Sequence, residues 1–184
     1  MNKILMPLLF LLHCKVMAMP AQILLIRHAE KPDIGNELSA RGWERAKLLP
    51  QMFNTRAELT EFGQIASLFA MAPAKQDGSV RAIQTLKFVA ENLKVGINSD
   101  FKRDQVSELI DSIKNDRNLD GKTVLICWEH SVLIDIAHEL GVQSALTWPG
   151  HQFDRVWSLT FSTDSKLTRF ESLPEKLLPG DSAN

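Results

Sequence analysis

Cysteine, glycine and proline are scarce in this chain of 184 residues, and basic and acidic side chains are nearly equal in number. Two cysteines cannot form a disulfide scaffold, and without a Cys-x-x-Cys pair or a zinc-like Cys/His spacing a structural zinc site is not expected. Nine glycines and eight prolines are too few for a fibrous or low-complexity chain. The 21 basic and 22 acidic side chains give a net charge of −1, so we expect no nucleic-acid partner. What remains is the composition of one globular domain, with 45% hydrophobic residues.

The apolar run at the N-terminus is also short. It covers residues 4–12, whereas a membrane-spanning helix needs roughly 20 apolar residues. Lys3 precedes the run and the small-residue pattern Val16-Met17-Ala18 follows it, which is typical of a cleaved secretory signal peptide. We therefore predict a signal peptide over residues 1–18 and an exported protein, periplasmic or secreted, with no stable membrane insertion after cleavage. A buried N-terminal strand or helix is the alternative interpretation.

From Gln22 onward, apolar segments of strand length alternate with longer segments of helical period, which is typical of an α/β domain. We predict a three-layer α/β/α sandwich with a mostly parallel central sheet over residues 19–173, and a polar C-terminal tail over 174–184. The expected strands are 22–26, 65–71, 95–98 and 123–127, with a closing hairpin of 155–161 and 166–173. The expected helices begin after caps at Ser39 and Ser79, near Val106 and near Val132.

Charged residues directly follow two of these strands. Arg27 and His28 come after the first strand, and Glu129 and His130 come after the fourth. Because ligands of open α/β sheets bind outside the carboxyl ends of the strands, we expect these side chains to meet in one crevice. Arg81 lies in the first turn of a predicted helix, where free backbone N–H groups favour an anion. The crevice therefore has the chemistry of an anion site.

Two arginines and two histidines suit a doubly charged tetrahedral anion such as phosphate. The guanidinium groups of Arg27 and Arg81 are forked donors that stay charged at neutral pH. A neutral imidazole, as in His28, offers one nitrogen lone pair for attack on phosphorus while the other nitrogen donates a hydrogen bond. A loop over residues 148–155, rich in aromatic and polar residues, could wall such a pocket.

Four segments, taken in order, carry a family resemblance. They are Leu25-Ile26-Arg27-His28-Ala29-Glu30, Leu38-Ser39-x-x-Gly42-x-x-x-Ala46, Arg81-Ala82-x-Gln84-Thr85, and His130 after an apolar strand. The first resembles the Arg-His-Gly signature of the histidine phosphatase superfamily, the phosphoglycerate-mutase-like group. The others resemble that family's first helix, its second arginine and its second histidine.

The resemblance implies a phosphoglycerate-mutase-like fold and a metal-independent phosphoric monoester hydrolase. His28 is then the nucleophile that becomes phosphorylated, and Arg27, Arg81 and His130 bind the oxygens of the transferred group. Water completes the hydrolysis, no cofactor is needed, and the partner is a small-molecule phosphate ester. The resemblance leaves the oligomeric state undetermined.

The sequence departs from the family pattern in two respects. Ala29 replaces the glycine of the signature, which changes the wall of the pocket and removes no reacting group. The family's proton donor, often a glutamate after the second arginine, has no clear counterpart, because Glu108 belongs to the solvated side of an amphipathic helix. We expect Glu129 to donate the proton, with Glu30 second, since a partly desolvated carboxyl keeps its proton near neutral pH.

Other functions remain open at this point. A phosphatase for phosphohistidine on proteins fits the short loops, and a non-catalytic phospholigand-binding module would retain the arginines and histidines without a working acid. A metallohydrolase with His28, Glu30, Glu129 and His130 as ligands is a third alternative, which cationic arginines beside the metal disfavour. A mutase is disfavoured because the chain leaves little length for insertions that would enclose a bisphosphorylated intermediate.

Overall fold

The fold is given by a computed structural model, which describes residues 19–183. The predicted signal peptide lies outside the described residues. The strands are β1 (Gln22–Arg27), β2 (Ile65–Ala70), β3 (Ile97–Asn98), β4 (Thr123–Trp128), β5 (Arg155–Phe161) and β6 (Leu167–Pro174). The helices are α1 (Ala40–Thr55), α2 (Ala57–Thr60), α3 (Arg81–Leu93), α4 (Val106–Asn115) and α5 (His130–Glu139), with a 3-10 turn at Arg117–Leu119.

The strands form one six-stranded sheet in the order β3-β2-β4-β1-β5-β6. The first four in this order are parallel, and the β5–β6 hairpin closes the sheet in antiparallel fashion against β1. Helix α1 packs on α3, and α4 packs on α5, which gives the predicted three-layer α/β/α sandwich. Every residue of β1 and β4 is buried, as expected for central strands covered on both faces. The fold class is confirmed, and the two antiparallel strands are its departure from a fully parallel sheet.

Helix α1 begins as the sequence predicts. The Ser39 side chain accepts a hydrogen bond from the Gly42 backbone N–H at 3.1 Å, which caps the helix. A Cβ atom at position 42 would collide with the carbonyl oxygen of Glu30, so only glycine allows the helix to approach the loop after β1 so closely. Pro50 lies within the helix, which continues to Thr55 rather than ending there.

Helix α3 differs from the prediction at its start. Its N-cap residue is Val80, not Ser79, and no side chain caps it. The Val80 backbone N–H donates instead to the carbonyl oxygen of Asn36 at 3.1 Å. Arg81 is consequently the first residue of the helix, because the chain is held there by a neighbouring loop rather than by a serine.

The C-terminal segment, residues 175–183, is packed onto the domain rather than extending as a free tail. Arg45 of α1 is only 2% exposed, and its guanidinium lies 2.6 Å from the carboxylate of Glu175 and 2.7 Å from that of Asp181. A buried arginine requires counter-charges, and the C-terminal segment supplies that of Asp181 together with a hydrogen bond to Glu175, whose pKa burial raises to about 8. This tertiary requirement cannot be read from the polar composition that predicts a tail. Among the described residues, no helix combines the length and apolar character needed to cross a bilayer.

Candidate active site

The ends of β1 and β4 bring the two predicted clusters together. The strands are in parallel register, with Arg27 opposite Trp128. The backbone N–H of His28 continues this pairing and donates to the Trp128 carbonyl oxygen at 3.1 Å. His28 and Glu129 therefore leave neighbouring strands at the same edge of the sheet, as the sequence predicts for a site at the strand ends.

His28 is buried, with 4% of its surface exposed. Its Nδ1 atom lies 2.7 Å from the carbonyl oxygen of Ala29. Since a carbonyl only accepts, Nδ1 carries the hydrogen and Nε2 keeps a free lone pair. Burial lowers the pKa of His28 to about 4, and the nearby charges of Arg27 and Arg81 act in the same direction. The imidazole is therefore neutral at neutral pH, the form that can act as a nucleophile.

Helix α3 holds the loop that carries His28. The Thr85 hydroxyl accepts a hydrogen bond from the Ala29 backbone N–H at 2.8 Å and donates to the Arg81 carbonyl at 2.8 Å. The methyl group of Ala29 is fully buried beside Leu38 and Ala46. Ala29 thus fills the space that a glycine would leave open and does not displace the imidazole.

The guanidinium group of Arg27 is tied to the loop over residues 148–153. Its Nη1 atom donates to the carbonyl oxygens of Gly150 at 2.8 Å and Gln152 at 2.9 Å, and its Cζ atom lies 3.8 Å from the centre of the Phe153 ring. Burial lowers the pKa of Arg27 to about 10, so the group stays protonated at neutral pH. The predicted wall loop therefore contacts the predicted phosphate site directly.

Arg81 lies at the start of α3, close enough to both Arg27 and His28 to shift their pKa values. Its Nε atom donates to the Glu37 carbonyl at 3.0 Å, and its Nη2 atom donates to the Gly35 carbonyl. The positive end of the α3 dipole adds to the charge of this side chain. Backbone carbonyls of the loop over residues 35–37 thus engage two of the guanidinium nitrogens, Nε and Nη2.

His130 is the first residue of α5, so a second helix N-terminus points to this edge of the sheet. Its Nδ1 atom is buried and lies 2.9 Å from Oε1 of Glu129. Nδ1 makes no hydrogen bond, so this contact is an ion pair only when the imidazole is protonated. The Nε2 atom faces the 148–153 loop, where a Cβ atom at Gly150 would lie 3.5 Å away. Arg27 is near enough to lower the pKa of His130, after the larger effect of burial.

Glu129, the first expected proton donor, is an ion-paired carboxylate. It caps α5 by accepting from the Ser131 hydroxyl at 2.7 Å, and Arg103 lies 3.0 Å away. Partial burial acts to raise its pKa, but the Ser131 hydrogen bonds together with the charges of His130 and Arg103 outweigh that effect and lower it. The carboxylate is therefore in a position to accept a proton from a neighbour rather than to hold one.

Glu30, the second expected donor, faces two arginines of helix α1. Its carboxylate lies 2.8 Å from Arg45 and 3.1 Å from Arg41. Burial acts to raise its pKa, yet hydrogen bonding and charge from Arg45 lower it on balance. The expectation that one of these two carboxyls keeps its proton near neutral pH differs from the structure, because Ser131 and Arg103 stabilise the charged form of Glu129, and Arg45 stabilises that of Glu30. Glu108 is exposed on α4, as the helical pattern predicts.

The donors of the metallohydrolase alternative do not converge. Within residues 19–183, no group of three or more His, Cys, Asp or Glu side chains is arranged to hold a metal ion. Glu129 and His130 are in contact, with 2.9 Å between Oε1 and Nδ1, whereas the Glu30 carboxylate is directed to Arg45.

Sequence reasoning missed Arg103 and Ser131. Arg103 lies in the loop before α4, is 55% exposed, and has no motif around it. Its Nη2 atom donates to the Ser131 hydroxyl at 2.9 Å, and the Trp128 indole N–H donates to its carbonyl at 3.2 Å. Ser131 could have been found as the second residue after a capping glutamate. Arg103 could not, because only the fold brings its loop to the end of β4.

Solved structures with a similar fold are phosphatases and mutases. The protein histidine phosphatase SixA complexed with tungstate is 15% identical, with 84% of this chain and 97% of that chain covered and a TM-score of 0.58. The phosphoglycerate mutase from Bacillus anthracis str. Sterne is 14% identical, with 86% and 94% covered and a TM-score of 0.58. The phosphoglycerate mutase from Plasmodium falciparum is 12% identical, with 89% and 96% covered and a TM-score of 0.56.

No protein-family model matches the sequence, and no curated protein matches it significantly. At such low identity the structural likeness establishes the fold and leaves the reaction open. The likeness nevertheless covers nearly the whole length of each neighbour, so it describes the complete domain. The chain has the fold of the histidine phosphatase superfamily, to which the phosphohistidine phosphatases and phosphoglycerate mutases belong.

Proposed function

We propose that this protein is a metal-independent phosphatase that hydrolyses a phosphomonoester through a phosphohistidine intermediate on His28. The observation that carries the proposal is the hydrogen bond from Nδ1 of His28 to the Ala29 carbonyl at 2.7 Å. It fixes the tautomer with a free Nε2, and it does so in a buried imidazole flanked by two arginines. Neutral histidine beside fixed positive charge is what attack on a phosphoryl group requires.

The reaction proceeds in two displacements. Nε2 of His28 forms a bond to phosphorus while the bond to the leaving oxygen breaks, and water then cleaves the phosphohistidine to release phosphate. Arg27, Arg81 and His130 bind the oxygens of the transferred group. Positioning and electrostatic stabilisation provide most of the catalysis in such transfers. Both arginines are partly engaged by loop carbonyls, so we expect the 148–153 and 35–37 loops to adjust when phosphate binds.

A phosphate-like ligand at this fold is supported by the tungstate complex of the SixA protein, since tungstate is a tetrahedral oxyanion. A cavity of about 300 Å³ adjoins the site through Phe153, whose ring lies 3.8 Å from Cζ of Arg27. Its lining includes Glu30, Arg41, His151, Phe153 and Asp181. These observations favour a small-molecule phosphate ester as the partner.

One observation favours a second candidate, a phosphatase acting on phosphohistidine in a protein. Glu129 and Glu30 are both ion-paired, with pKa values below the ordinary range. An imidazole leaving group departs neutral once its second ring nitrogen is protonated from water, and so needs no carboxylic acid. A phosphohistidine peptide cleaved faster than any ester would establish this alternative.

The test is turnover of a panel of phosphate esters by the purified protein, with and without a chelator. We expect chelator-resistant hydrolysis and an acid-labile phosphate label that His28→Ala removes. Phosphate binding without turnover of any ester or phosphohistidine peptide would show a binding module. Activity that chelator abolishes and added metal restores would show a metallohydrolase.

We also propose that the protein is exported, on the signal-peptide pattern of residues 1–18. N-terminal sequencing of the protein recovered from its native compartment should begin at Met19. An intact Met1 on exported protein would contradict the predicted cleavage after Ala18.

A further inference from the structure

An imidazole and a carboxylate form a connected pair at the N-terminus of α5. Oε1 of Glu129 lies 2.9 Å from the buried Nδ1 atom of His130, while Oε2 of the same carboxylate lies 3.0 Å from Arg103. Ser131 completes the arrangement, because its hydroxyl donates to Glu129 and accepts from Arg103. Both carboxylate oxygens are thus occupied. Each oxygen already has a partner, although the carboxylate is near enough to Arg27 and His28 to act on their pKa values.

The other end of the His130 ring has a different environment. Its Nε2 atom faces Gly150, with 3.5 Å to the position that a Cβ atom would take there. The Gly150 carbonyl accepts from Arg27 at 2.8 Å. Nε2 and the Arg27 guanidinium therefore approach the same residue of the 148–153 loop, beside the buried His28. Nε2 of His130 faces this space, whereas both oxygens of Glu129 are engaged by other partners.

We propose that His130 donates the proton to the leaving oxygen through Nε2, and that Glu129 and Arg103 are positioning residues that act on this imidazole. The proposal rests on the phosphatase reaction described above and assigns its missing acid. In addition to the oxygens of the transferred group, His130 then contacts the oxygen that bridges phosphorus and the leaving group.

The atoms balance without a further reactant. Nε2 of His28 bonds to phosphorus, the bond from phosphorus to the bridging oxygen breaks, and the proton on Nε2 of His130 moves to that oxygen. The products are the free alcohol, phosphohistidine at position 28 and a neutral imidazole at position 130. In the second displacement this neutral imidazole takes a proton from the attacking water, which restores the starting state.

Charged groups around His130 decide how easily its imidazole is protonated. Arg27 from β1, Lys31 from the following loop and Arg103 from the loop before α4 disfavour its cationic form, while Glu129 favours it. Burial disfavours it as well, and lowers its pKa in the absence of a ligand. A bound phosphate dianion offsets the cations, so the protonated imidazole is favoured when substrate is present.

The first test compares leaving groups. His130→Gln keeps an N–H donor but has no proton to transfer, so hydrolysis of an alkyl phosphate should fall about 100-fold or more. Hydrolysis of an activated aryl phosphate, whose leaving group needs little protonation, should fall less than about tenfold. Glu108→Gln, on the exposed side of α4, is the matched control and should change neither. Equal losses on the two substrates would overturn the proposal.

The second test uses the pH profile of kcat on the alkyl phosphate. Activity should decline at high pH as His130 loses its proton in the complex. Glu129→Gln should move this decline to lower pH, because it removes the charge that favours imidazolium. Arg103→Gln should move it to higher pH, because it removes a charge that opposes imidazolium. A purely structural role would not give opposite shifts, and shifts of the same sign or no shifts would contradict the proposal.

Different results would refute the phosphohistidine reaction and the assignment of His130 as its acid. A wild-type enzyme that never carries acid-labile phosphate on His28 would refute the phosphohistidine reaction itself. A different pair of results would refute only this inference. If His28 becomes labelled, Glu129→Gln loses turnover of the alkyl phosphate and His130→Gln retains it, then Glu129 is the donor. If His130→Gln loses alkyl and aryl turnover to the same extent while His28 still becomes labelled, His130 only binds the transferred group, and this inference alone is refuted.

Discussion

The Nδ1 atom of His28 donates a hydrogen bond to the carbonyl oxygen of Ala29 at 2.7 Å. Ala29 is itself fixed by the hydrogen bond from its N–H to Thr85 on α3. Nε2 of His28, the nucleophile of the proposed reaction, is therefore oriented by Ala29 and Thr85.

Substitution of His28 should remove the reaction. His28→Ala is expected to abolish both phosphate release and acid-labile labelling, while binding of vanadate to the arginines is retained. Circular dichroism and vanadate binding serve as the controls for folding. Full turnover in this variant would exclude His28 as the nucleophile.

The pH dependence of the free enzyme follows from the buried state of His28. Its pKa is lowered from 6.5 to about 4, so kcat/KM should decline on the acid side near pH 4, after correction for the ionisation of the substrate. The same shift means that the unfolded chain binds a proton between pH 6.5 and pH 4 that the folded chain does not. The free energy of unfolding should therefore decrease by about 3 kcal/mol as the pH is lowered from 6.5 to 4. An acid limb near pH 6.5 would show that the imidazole is not desolvated.

Loss of the second arginine should weaken anion binding rather than folding. Arg81→Ala removes charge-assisted hydrogen bonds worth about 1.5–3 kcal/mol, so inhibition by vanadate should weaken roughly 10- to 100-fold. Lys87→Ala, an exposed cation on the same helix, is the matched control and should leave inhibition unchanged. Unchanged inhibition in Arg81→Ala would place this guanidinium outside the phosphate site.

The buried arginine of α1 should dominate the stability of the C-terminal segment. Arg45→Met leaves Glu30, Glu175 and Asp181 without their counter-charge and should lower the free energy of unfolding by ~3–5 kcal/mol. The matched variant Arg41→Met removes a side chain that is 45% exposed and should cost under about 1 kcal/mol. Urea denaturation measures both. Equal effects would mean that Arg45 is not the anchor of residues 175–183.

Glu30, although it follows the nucleophile closely in sequence, should act through structure. Glu30→Gln weakens its ion pairs with Arg45 and Arg41 and should reduce stability by about 1–3 kcal/mol. Turnover of alkyl and aryl phosphates should fall by the same factor, since no proton transfer is lost. A selective loss on the alkyl ester would instead identify Glu30 as an acid.

The sequence was sufficient to predict much of the fold. Local periodicity and strand length reflect burial directly. They therefore correctly predicted the buried strand before Arg27, the strand before Glu129 and the apolar face of α3. The hairpin of β5 and β6 was also predicted from alternation and a turn, and Ser165 adopts a positive φ of 64° at that turn. The Ser79 cap was wrong because a distant carbonyl, that of Asn36, holds the helix start.

The sequence by itself determined which residue types stand at the strand ends, because the periodicity of apolar residues and the residues that end strands and begin helices are local properties. Only the tertiary structure decided the ionisation and partners of those residues, since a pKa depends on charges brought near from remote parts of the chain. Arg103 reaches Glu129 across 26 positions, and Arg45 joins Glu30 to Asp181 across the whole domain. The ion pair with Arg45 keeps Glu30 charged, and Arg103 adds to the hydrogen bonds from Ser131 that keep Glu129 charged.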